Sequence, residues 1–127
     1  MKNNILALIL LFVGACNSEH TPPTIDGKYV GFAEISGHKF VVEFNLQSEM
    51  SSVFGEMIFY ADTMSLLPGS MVYGDSVVMI IDYVMDNVDF IFSGEIIGDY
   101  DAIRGQYMID GASGIRHEPF EIYKEIR

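Results

Sequence analysis

The stretch from His38 to Gln47, HKFVVEFNLQ, alternates without a break. Phe40, Val42, Phe44 and Leu46 fall on one side, and Lys39, Glu43, Asn45 and Gln47 on the other. A strand gathers every second side chain onto one face, whereas a helix would scatter these four apolar groups around its circumference. Runs of the same kind occupy Gly27–Ile35, 53–60, 75–84, Val88–Ile97, 101–109 and 116–124, with a shorter one at 70–73. Gly, Asp, Asn and Ser separate them at Ser36-Gly37, Gly74-Asp75, Asp86-Asn87 and from Asp110 to Gly114, as turns require. From Ile25 onward the chain therefore predicts about eight antiparallel strands and no helix.

The turns fix a register that can be tested. A two-residue turn at Asp86-Asn87 would oppose Tyr83 to Phe90, Ile81 to Phe92, Met79 to Gly94 and Val77 to Ile96. A turn at Asp99-Tyr100 opposes Ile96 to Ile103, Gly94 to Gly105, Phe92 to Tyr107 and Phe90 to Ile109. The turn at Ser36-Gly37 opposes Ala33 to Phe40, Gly31 to Val42 and Tyr29 to Phe44, with Glu34 facing Lys39 outside. Each hairpin collects its large apolar groups on one face, and a one-residue slip would turn them all to solvent. A meander of this length closes into a barrel or splits into a sandwich. Closure removes exposed edges, and Gly31, Gly94 and Gly105 on the inner face permit the tight coiling it needs. The expected fold is all-β: an antiparallel up-and-down meander of about eight strands closed into a small barrel.

Before residue 25 the character changes. Lys2 precedes an apolar run, Ile5 to Cys16 (ILALILLFVGAC), and polar Asn17, Ser18, Glu19 and His20 follow at once. A spanning helix needs about 20 apolar residues, so the run is too short, and it has the layout of a cleaved signal peptide. Val13-Gly14-Ala15-Cys16 resembles the lipobox of bacterial lipoproteins, in which the cysteine thiol receives diacylglycerol and becomes the first residue of the mature chain. The alternative is an ordinary secretory signal cleaved near Ala15 that leaves a free thiol. The resemblance implies residues 1–15 as signal peptide, 16–24 as lipidated Cys16 and linker, and 25–127 as the barrel domain. It also implies a location in the cell envelope, anchored through Cys16. Asn17 is not the aspartate that resembles an inner-membrane retention signal, which favours the outer membrane where there is one.

The barrel region itself resembles the calycins, the lipocalins and their small relatives. Asp26-Gly27-Lys28-Tyr29 is similar to their Gly-x-Trp, with Tyr29 where tryptophan is usual. Lys124 or Arg127 is similar to the basic residue that packs over that aromatic. Gly27-Lys28-Tyr29-Val30-Gly31, the alternating strand that follows, and Gly74-Asp75-Ser76-Val77 look like a lipocalin-like domain of small bacterial lipoproteins. The resemblance implies a barrel and no particular chemistry.

The candidate site is then the barrel interior, lined by Tyr29, Phe40, Phe44, Met79, Tyr83, Phe92 and Tyr107, beside Phe90. An eight-stranded barrel is just filled by side chains or holds one small ligand. Either the Gly94 and Gly105 row leaves room for a small apolar molecule, with tyrosine hydroxyls as anchors, or Met79 and the phenylalanines fill it. Other features point to little chemistry. Methionines 50, 57, 64 and 71 recur every seventh residue, but Gly55, Pro68 and Gly69 rule out a helix there. Asp82, Asp86 and Asp89, like Asp99 and Asp101, read as solvated turns, for no calcium-binding loop pattern is present. Gly111-Ala112-Ser113-Gly114 lacks the second glycine of a nucleophile elbow. His20, His38 and His117 have no partner at interpretable spacing, so no enzyme, cofactor or metal is expected. A formal charge of -11, from 7 basic and 18 acidic residues, opposes binding to nucleic acid. Two expectations follow: a membrane-anchored barrel that binds or carries a small apolar ligand, or a non-enzymatic envelope interaction protein, an inhibitor or scaffold, that uses its outer surface at Phe32, Val41, Val78, Ile80 and Ile91.

Overall fold

A computed structural model describes residues 24–83, 88–111 and 114–125. The signal-peptide, Cys16 and Arg127 expectations lie outside these residues, as do the Asp86-Asn87 turn and the Tyr83 side chain. Nine strands run in order: β1 (Gly27–Ile35), β2 (His38–Glu49), β3 (Ser52–Phe59), β4 (Asp62–Ser65), β5 (Met71–Tyr73), β6 (Ser76–Tyr83), β7 (Val88–Ile97), β8 (Ala102–Gly111) and β9 (Gly114–Lys124). All pairings are antiparallel. The sheet order β2-β1-β9-β8-β7-β6-β5-β3-β4 is closed by a further β2–β3 pairing. The result is the expected closed barrel of eight strands, with one additional short strand. Among the described residues no helix is long and apolar enough to cross a membrane.

The additional strand comes from a break in one stave. β3 pairs with β4 from Phe59↔Asp62 to Glu56↔Ser65, then with β5 at Ser52↔Met71. On the other side β6 meets Leu66 at Ile81 and β5 from Val78↔Met71 to Ser76↔Tyr73. β4 and β5 thus lie end to end between β3 and β6, separated by a bulge that holds Pro68 and Gly69. Proline has no N–H for a ladder, so the stave cannot continue through it. Buried Ser70 closes the gap: its hydroxyl donates to the Leu67 carbonyl at 2.9 Å and accepts from the Ile80 N–H at 3.0 Å.

Two predicted registers match residue for residue. β1 opposes β2 with Tyr29↔Phe44 and Ala33↔Phe40, and β7 opposes β8 with Phe92↔Tyr107 and Gly94↔Gly105. Ser36 (φ 52°) and Gly37 (φ 84°) supply the two left-handed residues that a type I′ hairpin requires. The third register is corrected. Ile81 opposes Phe90, Met79 opposes Phe92 and Val77 opposes Gly94, so β6 has slipped by two residues against β7. A two-residue slip leaves every side chain on its expected face, and alternation cannot detect it. Packing decides instead. A Cβ added at Gly94 would meet Phe120 Cζ at 3.0 Å and Ile103 Cγ2 at 2.7 Å, and Gly105 pairs directly with Phe120. The Phe120 ring therefore covers the glycine row, as aromatics do beside strand glycines. Met79 goes beside the aromatic hub. That hub is Phe92, stacked on Tyr107 at 4.8 Å and edge-on to Phe44 and Phe120, both at 5.1 Å. Such ring pairs each add about 0.5–1.5 kcal/mol beyond their buried area.

Candidate functional site

The strands gather most of the predicted interior set. Tyr29, Phe44, Met79, Phe92 and Tyr107 are each 2% exposed or less, inside a core that also takes Ile25, Met57, Ile81, Ile103 and Ile122. Phe40 is only half-buried. It stands at one mouth of the barrel, edge-on to Phe59 at 6.1 Å and Tyr60 at 6.0 Å. The glycine row does not leave the expected gap. A Cβ at Gly105 would lie 2.1 Å from the Ser93 carbonyl, and one at Gly31 would lie 2.0 Å from that of Glu121, so these glycines let neighbouring strands approach closely.

A small hollow of about 20 Å³ lies behind that mouth, lined by Ala33, Ile35, Met57, Phe59, Phe90 and Tyr107 among others. One water needs about 10–15 Å³ measured in this way, so the space admits about a single small molecule of that size. The two buried tyrosine hydroxyls are engaged by the barrel itself. Tyr107 donates to the Glu34 carbonyl at 2.5 Å and Tyr29 to the Tyr100 carbonyl at 3.0 Å. Burial pushes both phenols well above their usual range. The Asp101 and Asp26 charges add to this at Tyr29. At Tyr107 Glu118 and Glu34 add to it, while Arg116 opposes. Neither phenol is an acid or base near neutral pH. Among the described residues no three His, Cys, Asp or Glu side chains converge in a way that could hold a metal ion.

The outside is different. Phe32 (48% exposed) opposes Val41 (60%) across β1 and β2. Tyr60 (72%) sits in the turn just past Phe59, the partner of Val42, with its ring edge-on to Phe40 and Phe59. Two surface grooves flank the Phe32–Val41 pair. One, of about 460 Å³, runs over Phe40, Val41, Glu43, Ile58 and Tyr60. The other, of about 340 Å³, runs over Phe32, Arg104, Pro119, Glu121 and Tyr123. The Lys39 ammonium lies 5.9 Å above the Phe32 ring, between the two. Val78, Ile80 and Ile91 are half-buried. Alternation predicted Phe32 and Val41; it missed Tyr60, which sits in a turn past the end of β3.

At the opposite end of the barrel Lys124 lies over Tyr29. Its ammonium is 5.6 Å from the ring centroid and donates to the Thr24 carbonyl at 2.8 Å. A cation at this distance from a ring face is attracted by the ring quadrupole. The chain matches no family model and no curated protein.

Proposed function

We propose that the protein is a lipid-tethered, non-enzymatic interaction module of a bacterial envelope that binds a protein partner through the outer face of β1, β2 and β3. The observation that carries this reading is the in-register pair Phe32–Val41, with exposed Tyr60 in the turn after β3. These leave large apolar groups in water beside two grooves, while the hollow behind the mouth measures about 20 Å³. Contiguous exposed apolar patches of this kind mark interaction sites. Lys124 over Tyr29 is the placement that the calycin resemblance implies, and it supports a barrel of that type. Thr24 enters at the end of the barrel opposite the Ser36-Gly37 turn, so a diacylglycerol on Cys16 would hold that turn away from the membrane.

The test is a photo-reactive residue at Val41 in intact cells, compared with one at Gln106. One dominant cross-linked protein at position 41 is expected, and its loss in Phe32→Ser. Identical labelling at both positions would remove the reading. Mass analysis of the mature N-terminus tests the tether, which fails if the Cys16 thiol is unmodified.

A second reading, a carrier for a small apolar ligand, draws on the mouth, where Ile35, Phe59 and Phe90 are half-buried around the hollow. Anything larger than a water would have to displace Met57 or Phe59. Native mass spectrometry of the purified full chain decides it: co-purifying mass supports a carrier, and the bare chain mass removes it.

A further inference from the structure

From Phe40 to Ile103 the chain contains no Lys, Arg or His, yet eleven Asp and Glu. These residues build most of β2 and all of β3 to β7. The described cations all lie on β1, β2, β8 and β9, where they find carboxylates: Lys28 bridges Glu43 and Glu125, both at 3.3 Å, and Arg116 meets Glu118 at 3.3 Å. β7 stands diametrically across the eight-stave ring from β2, so its outer face looks away from the Phe32–Val41 pair, and Arg104 on β8, opposite Glu95, is the cation on the outer face of β6 to β8 among the described residues.

The outer positions of β6, β7 and β8 form two parallel rows on that wall. Ile80, Ile91 and Met108 oppose one another in register and are half-buried. Next to them Asp82, Asp89 and Asp110 oppose one another and are exposed. Directly opposed residues have Cβ atoms about 4.5–5.5 Å apart, and like charges so placed destabilise a sheet. None of the three makes an ion pair among the described residues. They stand in a line and do not converge as metal ligands would. A protein gains nothing for its own fold from three unshielded carboxylates beside an apolar strip, but a partner that brings cations does gain from them.

We propose that the Ile80–Ile91–Met108 face of the sheet, edged by Asp82, Asp89 and Asp110, docks a polypeptide segment rich in Lys or Arg along one edge and apolar along the other. Charge complementarity selects this occupant. An acidic segment is repelled, and a second copy of the chain would bring its own carboxylates against these. Anionic lipid is repelled in the same way. The inference shares with the interaction reading only the use of the outer surface, and it concerns a different wall.

The experiment uses the full chain in non-ionic detergent and a fluorescent synthetic peptide of alternating leucine and lysine, with the leucine–glutamate peptide as its counterpart. The lysine peptide should bind, and bind more weakly as salt rises. Its NMR shifts should centre on Ile91 and Met108. Neutralising the row with Asp82→Asn, Asp89→Asn and Asp110→Asn together should weaken binding by about tenfold or more while the melting temperature holds or rises. Met108→Lys, which supplies an internal cation, should weaken it without touching the row. Equal binding of the glutamate peptide, or wild-type affinity in both variants, would overturn the proposal, as would shifts centred on Phe32 and Val41. Those results leave the Val41 cross-link unaffected, and loss of that cross-link leaves the peptide result unaffected.

Discussion

At the end of the barrel where Thr24 enters, Ile25 is as buried as any core residue, alongside Leu46, Val53, Val77 and Ile103. The Lys124 side chain crosses the Tyr29 ring to reach Thr24. The Asp26 carboxylate accepts from both the N–H and the hydroxyl of Ser48, each at 2.8 Å, and ties the entering chain to β2. At the other end no residue plays the part of Ile25 among those described. Ile35, Phe40, Phe59, Phe90 and Ile109 are half-buried there, and a polar clasp holds the rim. Ser36 N–H donates to Glu118 at 2.6 Å, and Arg116 donates to the Ser36 hydroxyl at 2.5 Å. One end is thus closed by apolar packing and the other by hydrogen bonds around a shallow apolar mouth. The difference shows that a single meander can bury its ring of aromatics completely at one level and leave it half-wet two residues further on.

The largest expected effect tests the plug. Ile25→Ala should cost about 2–4 kcal/mol, because a fully buried isoleucine leaves a cavity, whereas Ile35→Ala at the mouth should cost about half that or less. Urea titration of both variants checks it, and equal losses would erase the contrast between the ends.

Alkaline pH comes next. Both buried phenols have folded pKa values above the unfolded value of about 10, so their contribution to stability is complete below that pH and declines above it. Each should remove roughly 1.4 kcal/mol per pH unit once the unfolded tyrosines ionise. Tyr29→Phe and Tyr107→Phe should each cut the slope measured between neutral pH and pH about 11 by one proton's worth. An unchanged slope in both variants would show that other groups drive the loss.

At neutral pH the same two substitutions separate the ends. Tyr29→Phe strands the Tyr100 carbonyl at the sealed end and should cost about 1–2 kcal/mol. Tyr107→Phe frees the Glu34 carbonyl near the mouth, where water can replace the phenol, and should cost about 0.5–1 kcal/mol. The smallest effect is expected from Ala33→Val, which places methyl groups toward the hollow. A change within about 1 kcal/mol of wild type is expected, on the stabilising side if the added groups fit. A larger loss would mean that the hollow is already closed.

Much of this was legible in the residues and some of it was not. Ser36-Gly37 and the alternation around it specify the first hairpin completely, because alternation chooses the buried face and the two-residue turn fixes the register. β4 was invisible: four residues ending at a proline-glycine bulge carry too short a pattern to read. The acidic row of Asp82, Asp89 and Asp110 was hidden by the expected register of β6, which set Asp82 against Ile91 where the structure sets it against Asp89. The long cation-free stretch, by contrast, could have been read directly.

The sequence by itself determined which side chains point inward, since a period of two is a local property of the extended backbone. It could not determine how full the inside would be. That depended on Phe120 reaching across from the last strand to the glycine row, on Ile25 turning in from outside the first, and on a two-residue register choice. These are contacts between residues far apart in the chain. Volume is a property of the whole packed interior, and no local pattern encodes it.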